Sequence, residues 1–186
     1  ASHHEIIVDF SAIAPRPALI ITKATESLLH VDDKFVEYFA GMKAAGIPRG
    51  CYHFFRKNYD AKTQAKHFVD IVKPNVHKLD ILALDIEEGG ETASQIIAFC
   101  DYVQSALPRN LFMIYSTKLL LNAVLMTQTQ KERLRTIPVW SAGYPYDPDM
   151  FDSVPVMYAP DQTKWGPVWL WQYSDDGIVG GIGKNN

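Results

Sequence analysis

Through the first two thirds of this chain, short apolar runs alternate with segments of helical period, and that alternation limits the folds open to it. The runs are rich in Ile, Val, Leu and Tyr: Ala18 to Ile21, Gly50 to Phe55, Leu79 to Ile86, Leu111 to Tyr115, Val139 to Ala142 and Val168 to Tyr173. Runs of this length, bounded by turn residues, read as buried strands. Between them, Asp33 to Ala45 places Phe35, Phe39 and Met42 on one helical face and stops at Gly46. Asp60 to Val72 repeats the pattern with Ala61, Ala65, Phe68 and Val72; Thr92 to Leu107 supplies Ile96, Cys100 and Val103; Ser116 opens a fourth helix through Leu120 and Val124. Polar caps precede these helices and Gly or Pro follows the first two.

Strand and helix in alternation build a mostly parallel sheet, open or closed into a barrel. From Thr136 onward the helical pattern fades, which favours an α/β fold of irregular (βα)-barrel type, TIM-barrel-like, whose last strands lack full helices. With 186 residues, 47% of them hydrophobic, the expectation is one catalytic domain over residues 1–186. Net charge is −3 and unclustered, so no nucleic acid or anionic membrane partner is expected, and the chain reads as a monomer. No apolar run reaches transmembrane length. Cys51 and Cys100 sit in apolar segments and read as small buried hydrophobes.

One run ends in acids. In LALDIEE the period of a strand puts Leu82, Leu84 and Ile86 on one face and Ala83, Asp85 and Glu87 on the other. The two acidic Cα atoms then lie about 6.6 Å apart, and neighbouring carboxyls at a partly dry strand end cannot both ionise freely. A protonated carboxyl beside an ionised one is what general acid catalysis needs. The plain alternative is that these acids cap the next helix or meet surface arginines. At the same ends of other runs stand Tyr52, Tyr115, Trp140, Tyr144, Trp171 and Gln172. Aromatic faces stack on sugar C–H surfaces while amides and hydroxyls bind sugar oxygens, although each ring taken singly also fits a core role.

The histidines lack zinc-ligand spacing, so no metal and no cofactor is expected. The tail GIVGGIGKNN lacks the first glycine, the Ser or Thr and the following helix of a phosphate loop.

Several blocks, in order, resemble the family 25 glycoside hydrolases, which are N-acetylmuramidase lysozymes. ALIITKATES is similar to that family's FVIIKATEG segment, and HVDDKFVEYFAGMKAAGIPRGCYHFFR to its AGIPRGAYHFFR block. LALDIEE resembles its D-x-E strand, LFMIYS its MIYT strand, VWSAGY its LWIAQY, and VWLWQYSDDGIVGGIG its close. The resemblance implies an irregular α/β barrel acting on the β-1,4 bond between N-acetylmuramic acid and N-acetylglucosamine. It implies Glu87 as general acid, Asp85 as the orienting or stabilising carboxylate, and cell-wall peptidoglycan as partner. The implied place of action is the cell wall, reached from a secreted or phage-encoded protein.

Ser27 stands where the family motif has glycine, a change expected to reshape the loop beside the site and leave the acids untouched. By the same alignment the family's opening aspartate falls before Ala1 and its closing acid after Asn186, as in a cropped chain. Two other readings share these features: a binding protein for peptidoglycan or chitin oligosaccharides on the same scaffold, and a hydrolase of another N-acetylhexosamine polymer.

Overall fold

The computed structural model describes residues 5–7, 9–144, 159–173 and 183–184. The chain opens with β1 (Glu5–Ile6) and a 3-10 turn, Phe10–Ala12, capped by Asp9. There follow β2 (Ile20–Glu26), β3 (His30–Val31), α1 (Phe35–Ala44), β4 (Arg49–Phe54), α2 (Ala61–Val72), β5 (Ile81–Asp85) and α3 (Ala93–Ala106). Then come β6 (Leu111–Thr117), α4 (Lys118–Ala123), α5 (Gln128–Leu134), β7 (Val139–Ala142), β8 (Val168–Gln172) and β9 (Gly183–Lys184). Seven strands form one sheet in the order β3-β2-β4-β5-β6-β7-β8, parallel from β2 through β8 with β3 antiparallel on its edge. β1 and β9 pair separately, Glu5 opposite Lys184. This is the α/β, irregular (βα)-barrel architecture expected from the alternation.

Local chemistry sets the helix starts. Asp60 accepts from Thr63 N at 2.8 Å at the head of α2, and Thr92 with Gln95 forms a capping box on α3. The helix α1 departs from the expected capping by an acid. Its first residue follows Lys34, which makes no side-chain cap, while Asp32 accepts from Lys34 N at 3.0 Å one step earlier. It ends where Gly46 takes φ +65, the left-handed conformation that glycine enters without a Cβ penalty.

The alternation on the central strands separates two environments. Cys51, Leu82, Leu84, Phe112 and Ile114 belong to the hydrophobic core shared with α2 and α3. Phe99 of α3 stands at its middle, its ring 6.1 Å from Phe68, 6.0 Å from Phe55 and 6.5 Å from Phe112. Each such fully buried side chain contributes roughly 1.5–3 kcal/mol. Both cysteines are free and buried in this core, where lack of water pushes their thiols up, away from the reactive thiolate. At the amino end of the sheet the guanidinium of Arg49 grips Asp80 through Nε at 3.1 Å and Nη2 at 2.9 Å, with its plane 3.8 Å from the Phe39 ring centre. That buried pair locks β4 to the turn before β5.

Several boundaries differ from the sequence reading, and one helix was not expected. The strand β2 runs on to Glu26 because Thr22 and Thr25, though polar, are β-branched and fully buried. Ser116 stays in β6, and Thr117 caps α4 instead. The helix α5, capped by Thr127 and burying Leu134, was hidden by its polar composition.

Candidate active site

The register of the parallel strands carries Phe54, Asp85, Tyr115 and Trp140 across the carboxyl ends of β4, β5, β6 and β7 as direct neighbours. Residues opposite one another in a sheet share a face, so these four stand together on the face turned away from the helices. Tyr52 lies on the same face one pleat deeper, opposite Ala83. The expected pairing of Asp85 with Glu87 is present as a side-chain hydrogen bond, but the two acids differ in surroundings: Asp85 is 5% exposed and Glu87 is open to solvent. Burial, followed by the charge and hydrogen bond of Glu87, pushes the Asp85 carboxyl well above the ordinary range against a smaller opposing pull from Lys23. Its Oδ1 is buried and has no hydrogen-bond partner. Burial makes the charged form of this carboxyl costly, so Asp85 holds its proton more tightly than an exposed aspartate does.

Aromatic groups enclose this pair. Tyr115 is buried at 8% exposure, packs edge-on against Trp140 with centroids 4.6 Å apart, and hydrogen-bonds Tyr144. Burial first, then the nearby charge of Glu87, holds its phenol far above the usual range, so it stays a neutral donor. A register shift between Val139 and Trp140 sorts the last strand. Gln172 pairs with Ala142 and shares the face of Trp140, whereas Trp171 pairs with Ser141 on the other face. There the Trp171 indole donates to Gly143 O at 2.9 Å and lies 5.7 Å from Tyr173. The structure thus gathers Asp85, Glu87, Tyr52, Tyr115, Trp140, Tyr144 and Gln172 around one strand-end region and places Trp171 on the opposite face of the sheet.

A charged group beside the acids was not anticipated. Lys23 Nζ meets Glu26 Oε2 at 2.5 Å and lies 5.3 Å from the Phe54 ring centre, while Arg56 covers the same ring at 4.6 Å. Arg56 bonds Glu26 through Nε at 2.8 Å and Glu88 through Nη1 at 2.6 Å. Burial pushes Glu26 up, but the hydrogen bonds of Lys23 and Arg56 together outweigh it and hold the carboxyl below its usual range. Beneath this group His53 is fully buried and pushed down to about 3, mainly by desolvation. Its Nε2–H donates to Gln64 Oε1 at 3.2 Å and its Nδ1 accepts from Thr25 Oγ1 at 2.8 Å. That tautomer follows because the Gln64 amide nitrogen donates to the carbonyls of Arg56 and Tyr59. In sequence these charges carry no periodic signal; only their places in the KATES and HFFR blocks point to them.

His3, His4 and most of the tail from Gly177 lie outside the described residues. Among the described residues no cluster of His, Cys, Asp or Glu has the makings of a metal site.

A carboxyl pair of split environment, at the carboxyl end of a parallel strand and flanked by aromatic rings, is an arrangement suited to glycoside hydrolysis. The chain belongs to glycosyl hydrolases family 25, whose family model matches residues 1–182. It is 29% identical over 182 residues to an autolytic lysozyme of Clostridium acetobutylicum, an alignment covering 94% of this chain and 49% of that protein. A protein of Streptococcus phage B30 named D-alanyl-L-alanine endopeptidase is 26% identical over 178 residues, covering 89% of this chain and 36% of its own length. The chain therefore spans half or less of these curated relatives. Among solved structures, a bacterial lysozyme from Streptomyces coelicolor matches with a TM-score of 0.75 at 25% identity, over 99% of this chain and 86% of that one.

Proposed function

We propose that this chain is an N-acetylmuramidase domain that hydrolyses the β-1,4 bond between N-acetylmuramic acid and N-acetylglucosamine in peptidoglycan, with Glu87 as general acid and Asp85 as its partner carboxyl. The observation that carries the reading is the split of the pair. The two acids share a hydrogen bond, the buried member favours the protonated form, and the exposed member is the one a glycosidic oxygen can reach. With a substrate seated over Glu87, the proton shared by the pair passes from Asp85 to Glu87. Glu87 then protonates the leaving oxygen as the bond to the sugar C1 breaks. Asp85, now ionised, orients the acetamido group or stabilises the positive charge developing on the ring. Water supplies hydroxyl to C1, and its remaining proton restores the pair.

Tyr115, Trp140 and Tyr144 form the wall against which a sugar ring stacks, with Tyr52 below and Gln172 on the same face as a hydrogen-bonding group. Residues 1–186 act as one domain and as a monomer, on the cell wall.

The test is clearing of purified peptidoglycan by the parent and by Glu87→Gln, with mass analysis of the new reducing ends. Clearing by the parent, N-acetylmuramic acid at the new ends and a loss on the order of 10²–10⁴-fold in the variant are expected. A parent that binds the wall and leaves it uncut sinks the reading.

A further inference from the structure

Glu87 is a single residue strung between two anchors. Before it, Ile86 extends the ladder to β6: its N–H donates to Tyr115 O at 3.0 Å, and its carbonyl accepts from Ser116 Oγ at 2.5 Å. After it, Glu88 commits both carboxylate oxygens to the loop that follows β4. Its Oε1 accepts from Arg56 Nη1 at 2.6 Å and its Oε2 from Lys57 N at 3.0 Å. Beyond that grip the chain turns away through Gly89 and Gly90 at φ +75 and +88, and Lys57 Nζ holds Gly89 O at 2.6 Å.

The loop that receives Glu88 is itself fixed. Gln64, fully buried, accepts from Arg56 N at 2.9 Å and donates to Arg56 O at 2.9 Å. Arg56 Nε is held by Glu26 at 2.8 Å, and the Gln95 side chain, part of the capping box of α3, donates to Lys57 O at 2.7 Å. The acid is thus suspended between β6 on one side and a rigid loop after β4 on the other. An ion pair half open to water contributes little to stability, so this much hydrogen bonding on Glu88 serves geometry.

We propose that Glu88 is a positioning residue, whose two-point grip on Arg56 and Lys57 aims Glu87 at the leaving oxygen. This rests on the reading of Glu87 as general acid. Glu88→Gln is the informative change, because its amide keeps the shape and can still accept from Lys57 N, but sets an NH₂ group against the Arg56 guanidinium.

The experiment compares steady-state hydrolysis of soluble peptidoglycan fragments by the parent, Glu88→Gln and Glu88→Asp. Urea unfolding of all three, and a carboxyl ¹³C NMR titration of Asp85 and Glu87, accompany it. The expected result is a fall in kcat of about 10- to 100-fold with KM within about twofold, an unchanged unfolding midpoint, and weakened coupling between the Asp85 and Glu87 titrations. Glu88→Asp, too short to reach both partners at once, behaves like Glu88→Gln. A kcat of Glu88→Gln within about twofold of the parent overturns the proposal, as does a fall in kcat that only tracks loss of folded protein. Should the parent itself leave peptidoglycan uncut, the muramidase reading fails separately, and the NMR titration decides the brace: coupling unchanged in Glu88→Gln overturns it.

Discussion

Asp85 and Glu87, two residues apart at the end of β5, share a hydrogen bond across the boundary of the solvent, the inner carboxyl 5% exposed and the outer one open. Burial and the Glu87 charge raise the inner group, so between about pH 4, where an unfolded aspartate ionises, and the higher pH at which the folded one does, the native state holds more protons than the unfolded. Stability therefore falls as pH rises through that window. Asp85→Asn abolishes this dependence. Urea unfolding will show the variant more stable than the parent near pH 7, with the advantage shrinking to nothing as pH is lowered through about 4, while activity drops by at least about 10²-fold. A variant less stable than the parent at neutral pH contradicts the assignment of the proton.

His53 tilts the acid limb the other way. Its folded value of about 3 lies below the unfolded value near 6.5, so it contributes stability that is complete above about pH 6.5 and is lost as pH falls toward 3. One proton of difference costs up to about 1.4 kcal/mol per pH unit. His53→Gln will flatten the fall between about pH 6 and pH 4.5, in circular-dichroism melts, relative to the parent. Because Asp85 acts in the opposite sense over part of this window, the slopes separate cleanly in the Asp85→Asn background.

Ser27 takes φ +55 at the end of β2, with its N–H on Phe54 O at 3.2 Å. An L-residue in that region is strained by on the order of 1 kcal/mol, part of which a glycine gives back through its freer unfolded chain. Ser27→Gly will raise the unfolding free energy by up to about 1 kcal/mol, and Ser27→Val will lower it by more than that. Equal stability of the Gly and Val variants would refute the strain.

Gly166 has no room for a side chain. A Cβ there would lie 1.9 Å from Ile137 O and 2.7 Å from its carbonyl carbon, both backbone atoms that cannot swing aside. Gly166→Ala will cost about 3 kcal/mol or more, read as loss of soluble folded protein or a large fall in the urea midpoint. The neighbouring Trp165 is also buried, and its indole donates to Leu121 O at 3.0 Å.

The strands that position the acids were legible because period two survives in them. Leu82 and Leu84 went to the core and Asp85 to the opposite face, as alternation required. Legibility ended where polar atoms are buried or registers shift. The threonines of β2 look like a loop by hydropathy, and Leu79, read as the start of a strand, is 79% exposed because Asp80 turns inward to Arg49. The face of Trp171 is set by a register shift opposite β7, which leaves no mark in a one-dimensional pattern. The set of Lys23, Glu26, Arg56 and Glu88 draws on three separated segments, so only the fold makes it a group.

The clamp that Gln64 places on the carbonyl and amide of Arg56 has a bearing on redesign of the cleft. Loop length is usually the freest variable on a barrel rim, yet a residue inserted between Phe55 and Asp60 would slip Arg56 and Lys57 out of step with Glu26, Glu88 and Gln95 at once. Such an insertion would disturb the setting of Glu87 from a distance. Engineers seeking new specificity would do better to treat the stretch after β4 as part of the frame.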